Sequence, residues 1–114
     1  MRATLAAALL ALLADNGINI RLNRTVVMRG GETWLTCRVT PNKYNRTLIF
    51  GIGGTERDRS ERQLDGYDAP ITWGPMVVKN IPCGAGPAYC VVVRADGTSA
   101  RAMQTIEVAG CNQP

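Results

Sequence analysis

The sequence predicts an all-β fold in which two antiparallel sheets stack as a sandwich, preceded by a short apolar helix or leader. Its 114 residues are 46% apolar and 19% charged, which suits one compact core and excludes a disordered chain. From Asn19 onward, short apolar runs alternate with turn residues at intervals of roughly 8 to 15 positions, a spacing typical of antiparallel sheets. Within several runs apolar and polar residues also alternate, as they do on half-buried strands.

Residues 1–17 place one cation before an apolar run that ends in a turn. The run is shorter than the ~20 residues that a helix needs to cross a bilayer. Its order of charge and apolar residues is typical of a secretory signal peptide. The spacing of Leu5, Leu9 and Leu12 also fits one face of a retained helix that docks into a groove. Both interpretations stay open, and residues 18–114 are assigned to the sandwich domain.

Strands are predicted in four segments between the leader and the last hairpin. In the second segment Leu35, Cys37 and Val39 share one face, and Trp34 projects from the other. A further stretch, residues 55–63, alternates in charge and has no apolar face, so it is expected to be a solvated loop or an edge strand. The four strand segments are residues 25–28, 32–40, 46–52, and 69–81, the last holding one or two strands around Gly74-Pro75.

The last two apolar runs read as a hairpin around an Asp-Gly turn, the strongest short hairpin signal. A three-residue loop with its glycine in the left-handed region would pair Ala95 with Ser99 and set Cys90 opposite Gln104. In this register the second strand runs on to Val108 and keeps its charged residues out of the core.

Three segments resemble the immunoglobulin superfamily. GGETWLTCRV, residues 30–39, resembles the family's strand B, and MVVKNIPCGAGPAYC, residues 76–90, resembles its strand E running through a corner into strand F. RADGTSARAMQTIEV, residues 94–108, resembles the F–G hairpin. The resemblance covers roughly residues 25 to 109 and implies an immunoglobulin-like β-sandwich.

The resemblance also implies a disulfide between Cys37 and Cys90 that joins the two sheets, with Phe50 where the family packs its core tryptophan. Extending the hairpin brings Cys83 and Cys111 to the same end, so these two are expected to form a second disulfide. Two disulfides would indicate an oxidising compartment. The alternative is four reduced thiols in a cytosolic protein. A zinc site is disfavoured because the chain has no His and no CxxC pair.

Catalytic residues are not found in the sequence. The absence of His excludes a Ser-His-acid arrangement, and the only serines, Ser60 and Ser99, lie in a charged stretch and a turn. We therefore predict no enzyme activity, no cofactor, no metal and no small-molecule substrate. Nucleic-acid binding is not expected either, because acids neutralise the arginines of residues 55–63. Nor is an integral membrane protein expected.

A protein-binding or self-association surface is predicted on the outer side of strands F and G. Tyr89, Val91, Val93 and Met103 all point away from the core there, and an apolar stripe of this kind seldom stays in contact with water. Cover by the protein's own N-terminal helix or first strand is the alternative. Trp34, on the other sheet, is a second candidate contact.

Two functions fit these residues. The first is a non-enzymatic module displayed on an extracellular or particle surface, such as a virion decoration or accessory structural protein, attached through the F/G sheet face or the N-terminal arm. The alternative is a secreted soluble ligand or inhibitor that binds a protein through its loops. The expected location is extracellular or on a virion surface. Asparagines 23 and 45 begin glycosylation sequons that matter only in a eukaryotic source.

Overall fold

A computed structural model describes residues 17–54 and 58–111, and this part of the chain is all β. It contains nine strands and one 3₁₀ turn at Gly66–Asp68, and no α-helix occurs within these two ranges. The strands are β1 (Ile18–Leu22), β2 (Val26–Met28), β3 (Thr33–Val39), β4 (Asn45–Ile52), β5 (Arg59–Gln63), β6 (Thr72–Val78), β7 (Ala88–Arg94), β8 (Ser99–Gln104) and β9 (Glu107–Ala109).

The strands form two larger sheets and a small one. The first sheet has the order β1-β3-β6 and the second the order β5-β4-β7-β8, and all neighbours within these two sheets are antiparallel. Strands β2 and β9 pair with each other in parallel, which the expected all-antiparallel arrangement does not include. A parallel pair needs a long connection, and here strands β3 to β8 all lie between β2 and β9 in the chain.

One core lies between the two larger sheets. Alternate residues of β3, namely Leu35, Cys37 and Val39, are buried, as the pattern of the segment predicts. From the second sheet, Phe50 and Cys90 face each other in register and are both buried. Their burial supplies the apolar contact that holds the sheets together, because each such side chain removes a large apolar area from water.

Two disulfides join the elements of this core. Cys37 is bonded to Cys90 with the Cα atoms 6.1 Å apart, and Cys83 is bonded to Cys111 with the Cα atoms 5.6 Å apart. These are the two pairs that the sequence analysis predicts. The first links β3 of one sheet to β7 of the other, inside the core. The second ties the loop after β6 to the residues that follow β9. Together they indicate an oxidising, extracellular-type environment.

Residues 69–81 contain one strand with a bulge, where the sequence leaves one or two strands open. The pairing of β6 with β3 shifts between Leu35 and Cys37, and the extra residue on β6 lies at Gly74-Pro75, a cis peptide. Gly74 has a φ of +112°, and a Cβ at this position would lie 2.7 Å from the carbonyl oxygen of Leu35. Glycine is therefore required here for both conformation and space.

The predicted register of the last hairpin is wrong by two residues. Cys90 pairs with Ala102 rather than Gln104, and Val92 pairs with Ala100. The backbone amide of Arg94 donates to the carbonyl of Thr98 at 3.0 Å, so the three-residue loop is 95–97 and its glycine comes last. Gly97 there has a φ of +89°, which is the position that a left-handed residue takes in such loops.

The second strand of the hairpin also ends earlier than predicted. Strand β8 stops at Gln104, and the chain then crosses to pair β9 with β2. Ile106, in the break between the two strands, is buried in the core. The expected continuous strand to Val108 is therefore two short strands in different sheets.

The predicted leader or helix in residues 1–17 lies almost entirely outside the described residues. Gly17, the first residue described, accepts a hydrogen bond at 3.0 Å from the backbone amide of Thr40 through its carbonyl oxygen. No helix within residues 17–54 and 58–111 has the length and apolar character required to cross a bilayer.

Candidate protein-binding face

An apolar stripe crosses the outer side of the four-stranded sheet. Tyr89, Val91 and Val93 alternate with buried residues along β7, so their side chains point away from the core. Met103 of β8 pairs with Tyr89, and Ile49 of β4 pairs with Val91. We call these five residues the apolar stripe. Val93 is 40% exposed and Met103 is 54% exposed, whereas the other three are half-buried.

Gly51 makes room for the tyrosine of the stripe. It pairs with Tyr89 on one side and with Arg59 on the other. A Cβ at Gly51 would lie 3.0 Å from the phenolic oxygen of Tyr89 and 2.9 Å from the Cα of Arg59, and it would collide with the carbonyl oxygen of Asp58. The ring of Tyr89 and the edge strand β5 therefore both approach the backbone of β4 at this residue.

Charged side chains lie at the two edges of the stripe. On the edge strand β5, Arg59 and Glu61 project from the outer side and form an ion pair at 3.5 Å. On the opposite edge strand, β8, Arg101 projects from the same side and pairs in register with Val91. An apolar centre with a charged margin is the usual composition of a protein–protein interface.

Trp34 lies on a different surface. It projects from the outer side of the three-stranded sheet, where it pairs with Val77, and both side chains are 45% exposed. Its backbone amide donates to Oδ1 of Asn23 at 2.6 Å. Because the core separates the two sheets, Trp34 cannot share a contact with Met103 or the rest of the stripe. The five predicted contact residues thus fall into two surfaces, four on one and one on the other.

The asparagine side chains of both sequons make hydrogen bonds within the fold. The side chain of Asn45 is buried, its Nδ2 donates to the carbonyl of Thr40 at 3.1 Å, and its Oδ1 accepts from Nε of Arg94 at 3.2 Å. A glycan on Asn45 would require this buried amide to leave its partners. Asn23 is exposed, and its Oδ1 accepts hydrogen bonds from the hydroxyl of Thr33 at 3.0 Å and from the backbone amide of Trp34 at 2.6 Å.

The tip of the hairpin is organised by Asp96. Its carboxylate accepts hydrogen bonds from the hydroxyl of Thr98 at 2.7 Å and from the backbone amide of Thr98 at 3.0 Å. The hydrogen bond from the Thr98 hydroxyl, followed by the one from its backbone amide, lowers the pKa of the Asp96 carboxyl below its usual value. The hairpin tip therefore has a fixed shape and carries the Asp96 carboxylate beside the guanidinium of Arg94, and protein binding through the loops would use this tip.

A cleft of about 440 Å³ opens between the edge strands β5 and β6, on the inner side of the four-stranded sheet. Phe50, Trp73 and Met76 line it, and Arg62 points into the same side because it pairs with the buried Leu48. An inward-pointing charge on β5 and the glycine-proline bulge on β6 are devices that prevent a foreign strand from adding to a sheet edge. The cleft is thus bounded by two protected edges.

Few side chains that could act as nucleophiles or metal ligands are available in the described part of the chain. Within residues 17–54 and 58–111 no group of three or more Cys, Asp or Glu side chains is arranged to hold a metal ion. The hydroxyl of Ser60 donates to the sulfur of Met76 at 3.6 Å, and Ser99 is exposed on β8. All four cysteines of the chain are in disulfides.

The sequence analysis does not include three residues of this face. They are the residues that lie in the same row as Val91 across the sheet: Ile49, Glu61 and Arg101. Ile49 was detectable, because it precedes the core residue Phe50 and must point the other way. Glu61 is not predictable, because the five residues of β5, RSERQ, contain no apolar alternation that would set their register against β4.

Comparison with known proteins identifies a fold and no family. No family model and no curated protein matches the chain. Among solved structures, the chain is similar to the sulfur carrier protein SoxY from Chlorobium limicola f thiosulfatophilum, with a TM-score of 0.59 and 14% identity over 96% of this chain and 99% of that chain. At this identity the likeness shows that the two proteins share a fold, and it shows nothing about the site.

Proposed function

We propose that this protein is a non-enzymatic, immunoglobulin-like binding module of an extracellular or particle surface, such as a virion decoration or accessory structural protein, and that it docks a protein through the apolar stripe. The observation that carries the proposal is the stripe itself. Five apolar side chains are aligned across three strands on the outer side of a sheet, with charges only at its margins. Exposed apolar patches of this kind are typical of interaction surfaces.

The covalent framework supports the proposed location. Both disulfides require an oxidising compartment, and the Cys37–Cys90 bond fixes the sheet that presents the stripe. A rigid sheet suits docking, because little conformational entropy is lost when it binds.

The name of the structural neighbour suggests a second candidate function, a carrier of sulfur. A cysteine thiol is the side chain that could take up sulfur covalently, and every cysteine of this chain is already in a disulfide. The shared fold alone therefore does not favour a carrier over a binding module.

Site-specific photo-crosslinking in the producing cells tests the proposal. A benzophenone amino acid replaces Met103 at the margin of the stripe, and a matched protein carries it at Arg38, which is exposed on the outer side of the three-stranded sheet. We expect a discrete crosslinked protein product from position 103 and little or none from position 38. Val91→Arg in the same chain is expected to abolish the product, because it buries an unpaired charge in the interface.

Products from position 38 with none from position 103 would overturn the proposal, as would a product at 103 that survives Val91→Arg. Thermal unfolding of each variant confirms that the domain still folds before its crosslinks are compared.

A further inference from the structure

The geometry points to a second copy of this chain as the protein seated on the apolar stripe, related to the first by a two-fold axis that runs parallel to the strands of the four-stranded sheet. This inference rests on the proposed function of the stripe. It adds the identity of the partner and the symmetry of the contact, and both follow from how charges are arranged across the sheet.

The registers of β5, β4, β7 and β8 define three rows of outward side chains. The central row reads Glu61, Ile49, Val91, Arg101 from one edge of the sheet to the other. It has an acid at one end, a base at the other and two apolar residues between them. The flanking rows read Gln63, Thr47, Val93, Ser99 and Arg59, Gly51, Tyr89, Met103.

A two-fold axis parallel to the strands places each strand over a different strand of the other copy. Strand β5 of one copy then lies over β8 of the second, and β4 lies over β7. Each row of side chains lies over the same row of the second copy. Glu61 of each copy then faces Arg101 of the other, and Ile49 faces Val91. The contact is isologous, so every favourable pair occurs twice.

The perpendicular arrangement is disfavoured by the same charges. A two-fold axis perpendicular to the strands would place each strand over the same strand of the second copy. Glu61 would then face Glu61, and Arg101 would face Arg101. Juxtaposed like charges are a strong element of specificity at interfaces. The charge pattern therefore selects one of the two face-to-face arrangements.

The distances suit the long side chains involved. Strands are spaced about 4.8 Å apart, so β5 and β8 each lie roughly 7 Å from an axis that passes between β4 and β7. Packed sheets are rotated by about 30° and separated by about 10 Å, which offsets the two ends of the central row by only a few ångströms. Glu61, already paired with Arg59 in its own strand at 3.5 Å, would gain a second cation.

The flanking rows contain no opposing like charges in this arrangement. Gln63 faces Ser99, both polar and uncharged, and Arg59 faces Met103, whose thioether can pack against the aliphatic part of the arginine. Gly51 faces Tyr89 of the second copy, and because each Gly51 is already covered by the ring of its own Tyr89, the two rings meet each other. The charge pattern of the stripe is thus complementary to itself.

Analytical ultracentrifugation of the purified protein tests the inference with a charge swap. The wild-type chain is expected to form a dimer that high salt weakens. Either Glu61→Arg or Arg101→Glu should raise the dimer dissociation constant by about tenfold or more, since each change replaces two attractive pairs by two repulsive ones. The double variant Glu61→Arg with Arg101→Glu should return the constant to within about threefold of wild type.

The matched control is Arg38→Glu, an exposed arginine on the other sheet, which should leave dimerisation unchanged. A wild-type chain that sediments as a monomer at all concentrations up to about millimolar, or a double variant no better than the singles, would overturn the inference. Such a result leaves the proposed function to be judged separately, because a crosslink from position 103 to a different protein would support that function and exclude the second copy.

Discussion

At the scale of single residues, the four cysteines differ sharply in access to solvent. Cys37 and Cys90 are completely buried, whereas Cys83 is exposed and Cys111 is half-buried. The first disulfide closes a separation of 53 residues and the second a separation of 28. On a chain-entropy estimate each disulfide contributes about 3 to 4 kcal/mol to stability, because each restricts the unfolded chain to a similar degree. In the folded protein the two disulfides differ in their exposure to solvent.

This difference predicts the order in which the disulfides are reduced. Under native conditions a mild thiol should reduce Cys83–Cys111 first, because thiolate attack requires access to a sulfur atom. Reduction of Cys37–Cys90 should be at least about 100-fold slower, since it awaits an opening of the core that costs several kcal/mol. Alkylation at timed intervals followed by peptide mass spectrometry gives both rates.

The same experiment in denaturant is the control, where the two bonds should react at comparable rates. Equal rates in the native protein would mean that the core bond is open to solvent, contrary to the buried position of both its sulfurs.

At the scale of elements, the hairpin shows what a sequence can and cannot determine. Alternation identifies which residues of β7 and β8 face the core, and Cys90, Val92 and Ala100 are indeed buried. The register is off by two residues because only an odd shift turns side chains to the wrong face, so burial cannot discriminate between even shifts. The turn decides instead, and its outcome depends on which loop position the glycine occupies.

The same limits apply to the small sheet and to the candidate site. The sequence contains no local pattern that indicates the break between β8 and β9, because Thr105 and Ile106 also fit a continuous strand. Tyr89, Val91 and Val93 were predicted to share a face from alternation within one strand. Their alignment with Glu61 needs the pairing of β4 with β5, which is a tertiary property that a polar strand without an apolar face does not reveal.

Gly51 on β4 offers a test of how closely the elements of the sheet approach one another. Gly51→Ala should lower the free energy of unfolding by about 1–3 kcal/mol, because the new methyl group meets backbone atoms of β5 that cannot move independently. Gly53→Ala is the matched control, since the nearest atom to a Cβ there is 3.5 Å away and its φ is not in the left-handed region.

Urea denaturation of the two variants measures the difference, and the control should lie within about 0.5 kcal/mol of wild type. If Gly51→Ala were as stable as Gly53→Ala, the tight packing of β5 and of Tyr89 against β4 would be wrong.

At the scale of the whole molecule, two disulfides and one core hold two larger sheets back to back, each with an outer side. The three-stranded sheet and the Cys37–Cys90 bond hold the four-stranded sheet in place from behind. Folding buries the inner faces of both sheets, and the outer side of the four-stranded sheet keeps an apolar surface that is exposed at Val93 and Met103. In the proposed contact, the charged margins select the partner and its orientation.

Oxidative footprinting of the protein in its native assembly tests whether the apolar stripe is the docking surface. Met103 in the stripe is 54% exposed and Met28 on β2 is 64% exposed, so the two thioethers should react with hydrogen peroxide at similar rates in the isolated domain. In the assembled state the account predicts that Met103 is protected at least about fivefold while Met28 still reacts, because burial in an interface excludes the oxidant. Equal oxidation of the two methionines in the assembly would contradict it.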